Sequence, residues 1–163
     1  IALHKMLFLL SKKEINNPYE IRIISMDNRG TEGFQNIVRL STGKVLKREE
    51  MENHVDDIDV FINLYDSARH RFGCSGSIFE ALSYVKPVLH LSNDGYNYFN
   101  TVERPIGFRC NNLNEYVEKM THIIEHYTAY KDQFSLFRKN LLECRKEYAI
   151  ENNLNNLRES FTF

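Results

Sequence analysis

Between Arg69 and Leu91 the chain reads R-H-R-F-G-C-S-G-S-I-F-E-A-L-S-Y-V-K-P-V-L-H-L, an order of residues that few architectures accommodate. A basic, small-residue loop comes first. Its Gly73, Ser75, Gly76 and Ser77 allow a tight turn and bring bare backbone N–H groups near a ligand. Ile78, Phe79, Leu82 and Val85 follow at helical spacing, which predicts a helix with one apolar face. The positive end of that helix points back at the loop, where free N–H groups and the macrodipole favour an anion. Pro87 ends the helix, and Val88, Leu89, His90 and Leu91 suit a parallel strand covered on both faces.

The flanking chain repeats the alternation. A helix is expected over 1–13, a strand over 20–26 with exit loop Asp27-Asn28-Arg29-Gly30, and a short strand over 36–40. A helix follows over 47–55, opened by R-E-E-M with acids in its first turn, then a strand over 59–64. After the central stretch, Gly107 to Arg109 reads as a last strand. Leu113, Tyr116, Val117, Met120, Ile123, Ile124 and Tyr127 form the clearest apolar stripe. Phe134, Phe137, Leu141, Cys144 and Tyr148 mark another helix, and Leu154, Leu157 and Phe161 a final one. Strands alternating with helices imply an α/β domain, a Rossmann-like parallel sheet with helices on both faces. Ligands of such sheets bind beyond the carboxyl ends of the strands. The Asp27–Gly30, Thr42–Leu46 and Arg69–Ser77 loops are expected to converge there on one crevice.

At 163 residues the chain has the size of one domain. A net charge of −1 gives no electrostatic case for nucleic acid or an anionic membrane. Cys74, Cys110 and Cys144 are odd in number and far apart, which favours a reduced, cytoplasmic setting and no paired metal ligands. No apolar run reaches spanning length. Helical spacing begins at the first residue, Ile1, so the chain reads as a piece of a longer protein.

The segment S-I-F-E-A-L-S-Y-V-K-P-V resembles the signature stretch of the GT-B glycosyltransferases, roughly E-G-F-G-x-x-x-x-E-A-x-x-x-G-K-P-V. Gly73, Glu80, Ala81, Lys86, Pro87 and Val88 match; Phe72 stands at the first glutamate and Val85 at the glycine before Lys-Pro. T-G-K-V-L-K-R-E-E-M is similar to the family's G-x-V-x-x-E-E-L segment, and D-I-D-V-F-I to its A-D-V-F-V strand. The resemblance runs nearly full length and implies the C-terminal, donor-nucleotide domain of a retaining enzyme, as in bacterial surface-polysaccharide synthesis. It implies Glu80 on the donor ribose, Ser75, Gly76, Ser77 and Arg71 on the donor phosphates, and Phe72, Gly73 and Cys74 beside the donor sugar. Gly43, Lys44 and Val45 would face the nucleobase. The implied substrates are a nucleotide-diphosphate sugar and a saccharide or lipid-linked acceptor. No cofactor, metal or nucleic acid is implied, and the full-length enzyme would work in the cytoplasm or peripherally at the inner membrane face.

The resemblance also implies a catalytic, acceptor-binding N-terminal domain elsewhere, so this 163-residue piece alone is expected to be inactive. It implies a missing opening strand, with its Arg/Lys diphosphate loop, that belongs between 20–26 and 59–64. Other readings stand beside these. Ser77-x-x-Glu80 has the form of a capping box. S-G-S-I-F-E-A also resembles a stretch of GT-B-like sugar-nucleotide epimerases, and Phe72 suits a non-catalytic nucleotide-binding or scaffolding domain. Arg69 and His70 are weaker phosphate or proton-donor candidates; His54, His90, His122 and His126 read as structural.

Overall fold

The computed structural model describes residues 2–24, 30–40, 43, 46–65 and 76–149. In chain order the elements are α1 (Ala2–Leu10), β1 (Ile21–Ile23), β2 (Ile37–Arg39), α2 (Arg48–Val55) and β3 (Phe61–Asn63). There follow α3 (Gly76–Tyr84), β4 (Val88–Leu91), α4 (Asp94–Phe99), β5 (Gly107–Cys110), α5 (Leu113–Glu125) and, after a 3₁₀ turn, α6 (Lys131–Glu147). The chain is an α/β protein whose strands all pair in parallel, flanked by helices on both faces.

Among the described residues the strands form two parallel sheets: β1 pairs with β2, and β3–β4–β5 form a three-stranded sheet. One helical layer joins them. Met6, Leu7 and Leu10 of α1 share a core with Ile21 and Ile23 of β1, with Leu89 and Leu91 of β4, and with Tyr116, Val117, Met120 and Ile123 of α5. On the opposite face Val88 packs with Ile78, Ala81 and Leu82 of α3 and with Tyr96 and Phe99 of α4. β4 is thus buried on both faces, as V-L-H-L predicts, because successive side chains alternate sides. α6 closes the sheet by serving both cores, Phe134 and Phe137 in one and Leu141 and Cys144 in the other.

Among the described residues, the two strands that the resemblance sets apart, over 20–26 and 59–64, are not paired with each other. Between them lies a cavity of about 680 Å³, roofed by Met120, Ile123 and Ile124 of α5.

Local chemistry accounts for the element ends. Glu49 and Glu50 lie in the first turn of α2, where the Glu50 carboxylate accepts from the Lys47 N–H at 3.0 Å. Asn112 caps α5 by accepting from the Glu115 N–H. α3 closes in a Schellman motif: the Lys86 N–H donates to the Ala81 carbonyl and the Val85 N–H to that of Leu82. Val85 takes the left-handed position, with φ of 55°. The glycine of the resembled pattern is replaced here, yet the backbone keeps a glycine's conformation. Close approach demands a glycine elsewhere: a Cβ on Gly107 would sit 1.9 Å from the Val88 carbonyl oxygen.

Candidate functional site

The candidate site lies where β3 and β4 end and α3 and α4 begin. Asn63, the last residue of β3, is buried, and its amide donates to the Ser77 hydroxyl at 2.9 Å. The Ser77 oxygen also lies 2.8 Å from the Tyr96 hydroxyl of α4. Asn63 Oδ1 accepts from the Tyr65 N–H, and the Tyr65 carbonyl accepts from the buried amide of Asn93. Asn93 caps α4 through the Tyr96 N–H. These bonds lock the first turns of two helices to the carboxyl end of one strand.

Beneath this lies His90, wholly buried. Its Nδ1 is 2.9 Å from the Leu91 carbonyl, and its Nε2 is 2.8 Å from the Asn100 amide nitrogen. The Tyr96 ring stacks on it at 4.9 Å between centroids. Burial, assisted by the charge of Arg109, pushes its pKa down to about 4, so the ring is neutral at pH 7. His90 is a structural hinge-pin of the network, with both nitrogens engaged.

Four of the sequence-predicted site residues are described. Gly76 is the first residue of α3, exposed, with open space around it. Ser77 lies inside the first turn instead of capping it, and its hydroxyl engages Asn63 and Tyr96. The Ser77–Glu80 capping box is therefore not the arrangement here, because a cap stands before the helix and α3 starts at Gly76. Glu80 is half-buried, one turn further on, within electrostatic reach of Arg48 at the start of α2 and of Tyr84. Burial and the neighbouring Glu80 charge raise the Tyr84 pKa. Gly43 is exposed in the loop before α2, with φ of 76°. Arg71, Phe72, Gly73, Cys74, Ser75, Lys44 and Val45 lie outside the described residues, as do Arg69 and His70. The structure sets Glu80 on the side of α3 towards Arg48 of α2, and Ser77 on the side towards Tyr96 of α4.

Asn63, Asn93, Asn100 and Tyr96 carry no sequence signal as site residues; each is a single polar residue next to an apolar run. Asn93 is the partial exception, since Asn before Asp94 suits a helix cap. Among the described residues no cluster of three or more His, Cys, Asp or Glu is placed to hold a metal ion. Nor is any described helix long and apolar enough to cross a membrane. Compared with protein-family models, curated proteins and solved structures, the chain finds no match.

Proposed function

We propose that this chain is the nucleotide-sugar-binding domain of a glycosyltransferase that passes a hexose-type sugar to a saccharide or lipid-linked acceptor. The observation carrying this reading is the β3–α3–β4 unit, in which the amino end of α3 meets the carboxyl end of a parallel strand. Glu80 is set one turn in, facing α2. In this reading, backbone N–H groups of the first turn of α3 and its dipole hold the donor diphosphate and stabilise it as it departs. Glu80 accepts hydrogen bonds from the ribose hydroxyls, and the loop at Gly43 lies beside the base. The acceptor sits on another domain, and the enzyme acts in the cytoplasm, free or peripherally at the inner face of a membrane.

The test is a calorimetric titration of the natural full-length polypeptide with UDP, GDP, CMP and ADP, repeated on Glu80→Gln. One nucleotide should bind. The variant should lose about tenfold in affinity, as for one charged hydrogen bond, while Tm stays within a degree or two. Failure to bind any nucleotide, or a lower Tm with unchanged affinity, refutes the reading. Turnover of a nucleotide-sugar with no acceptor present would instead make the protein an epimerase.

A further inference from the structure

Two histidines stand side by side where α5 ends. His122 lies in the last turn of the helix and His126 is its C-cap, four residues on, so both belong to one face. Both are exposed. Their backbone is held on either side: the His126 N–H donates to the His122 carbonyl at 3.0 Å, and the His126 carbonyl accepts from the Ala129 N–H at 2.9 Å. The same helix end is tied to the chain before β1, since the Glu125 carboxylate accepts from the N–H groups of Asn16 and Asn17. The two ring centroids are 4.5 Å apart, with their planes inclined at 56°. The Tyr130 hydroxyl lies 2.8 Å from His122 Nδ1, so Nε2 is the nitrogen of that ring left to a ligand.

This spacing is that of two imidazoles on one metal ion. A ring nitrogen lies about 1.2 Å from its centroid and a metal–nitrogen bond is about 2.1 Å, so each centroid sits about 3.3 Å from the ion. Two such rings are about 4.6 Å apart at an N–metal–N angle of about 90°, and about 5.3 Å apart at the tetrahedral angle. The observed 4.5 Å meets the first value as it stands, and a small rotation of either side chain reaches the second. The surroundings favour a cation. The carbonyl end of α5 carries the negative pole of the helix dipole here. Glu118, exposed and one turn before His122 on the same face, adds a carboxylate to the approach. Lys119, the one lysine of α5, lies over the Phe108 and Tyr130 rings. Tyr130 is itself set edge-on against Phe108, with centroids 5.3 Å apart. With a metal on Nε2 of His122, Nδ1 carries the proton and donates it to the Tyr130 oxygen, which fixes the ring's orientation.

We propose that His122 and His126 form a chelating site for a divalent transition-metal ion of the zinc, nickel or copper class, with Tyr130 orienting the first ligand. Two imidazoles fill two coordination positions and leave the others to water, which makes the ion exchangeable; a resident zinc takes three or four protein ligands. Binding clamps the last turn of α5 to its cap and so stabilises that helix end. Neither histidine belongs to the β3–α3–β4 unit, and the test is independent of the nucleotide reading.

The natural full-length polypeptide, untagged, is titrated by calorimetry with zinc, copper(II) and magnesium salts, alongside His122→Asn, His126→Asn and Tyr130→Phe. Both histidines are exposed, so the Asn variants should fold like the parent, which Tm without metal checks. Zinc should bind saturably in the micromolar range, copper more tightly and magnesium not at all. Either Asn variant should lose about tenfold or more in affinity, because each removes one arm of a chelate. Tyr130→Phe keeps the ring and should lose about tenfold with the orienting hydrogen bond. The copper complex should show the paramagnetic-resonance splitting of two coordinated nitrogens, reduced in either Asn variant. The proposal is overturned if zinc and copper bind the parent no more tightly than the two Asn variants, if only one of the two substitutions matters, or if magnesium binds as well as zinc. An unchanged affinity in Tyr130→Phe would overturn the orienting role of Tyr130.

Discussion

Lowering the pH from 7 to 5 should destabilise this protein through His90. The ring has no exposed surface, and its tautomer is set by Asn100. Asn100 Oδ1 accepts from the Ile106 N–H, and its NH₂ reaches both the Gly107 carbonyl and His90 Nε2. Nε2 must then accept, and Nδ1 carries the proton donated to Leu91. A second proton would set donor against donor and leave a charge buried. Burial first, and Arg109 after it, depress the folded pKa to about 4, against roughly 6.5 in the unfolded chain. As pH falls through 6.5, the unfolded state takes up a proton that the folded state refuses, so stability is present above that value and drains away towards 4. The loss is about 2 kcal/mol between pH 7 and 5, and about 3 kcal/mol by pH 4. Glu32 and Glu125, whose pKa values are lowered chiefly by backbone hydrogen bonds, withdraw their contributions as the pH falls through the ordinary carboxylate range and beyond it. The window from pH 6.5 to 5 therefore isolates the histidine. Urea unfolding at pH 7, 6 and 5 measures the slope, and His90→Gln should flatten it whatever its effect at pH 7. A wild-type protein with constant stability across this window, or a variant that falls equally steeply, would refute the reasoning.

Two substitutions test the backbone. Val85→Gly should be more stable than Val85→Ala by about 1 kcal/mol in chemical unfolding, because both remove the side chain and only glycine is at ease at φ of 55°; equal stabilities would mean that the left-handed turn is not formed. Gly107→Ala should cost about 3 kcal/mol or more, since its Cβ meets the Val88 backbone rather than a movable side chain. Loss of protection at Val88, which donates to Ile106 across the start of this pairing, should accompany it.

Much of the architecture was legible because periodicity is local. The α5 stripe, the acids opening α2 and the doubly buried V-L-H-L run each carry their own signal, and each element forms where that signal lies. Three features were not legible, each for its own reason. α4 has only six residues, too short for an amphipathic pattern, and Asn93-Asp94-Gly95 has the composition of a turn. The pairing of β1 with β2 and the order β3–β4–β5 depend on which edges meet, a long-range outcome that no window of sequence records. The Schellman turn at Val85 was hidden because the residue there, a β-branched one, is the least expected at positive φ. Lys86 tethers this turn to the Asp56 carbonyl at the end of α2, a tertiary contact that opposes relaxation of the strained position.

The same distinction governs the candidate site. Ser77 was legible as a small polar residue near a helix start, which suits a cap, a phosphate contact or neither. Its hydroxyl joins Asn63 to Tyr96, and Tyr96 stacks on His90. The side chain thus acts on the position of α3 by fixing its first turn over the end of β3. An anion bound there would meet backbone N–H groups already held in place, so ordering them would cost little when it arrives. Precision at this end of the sheet then rests on buried asparagines and a neutral histidine. It should loosen as the pH nears 4, where folded His90 itself gains a proton.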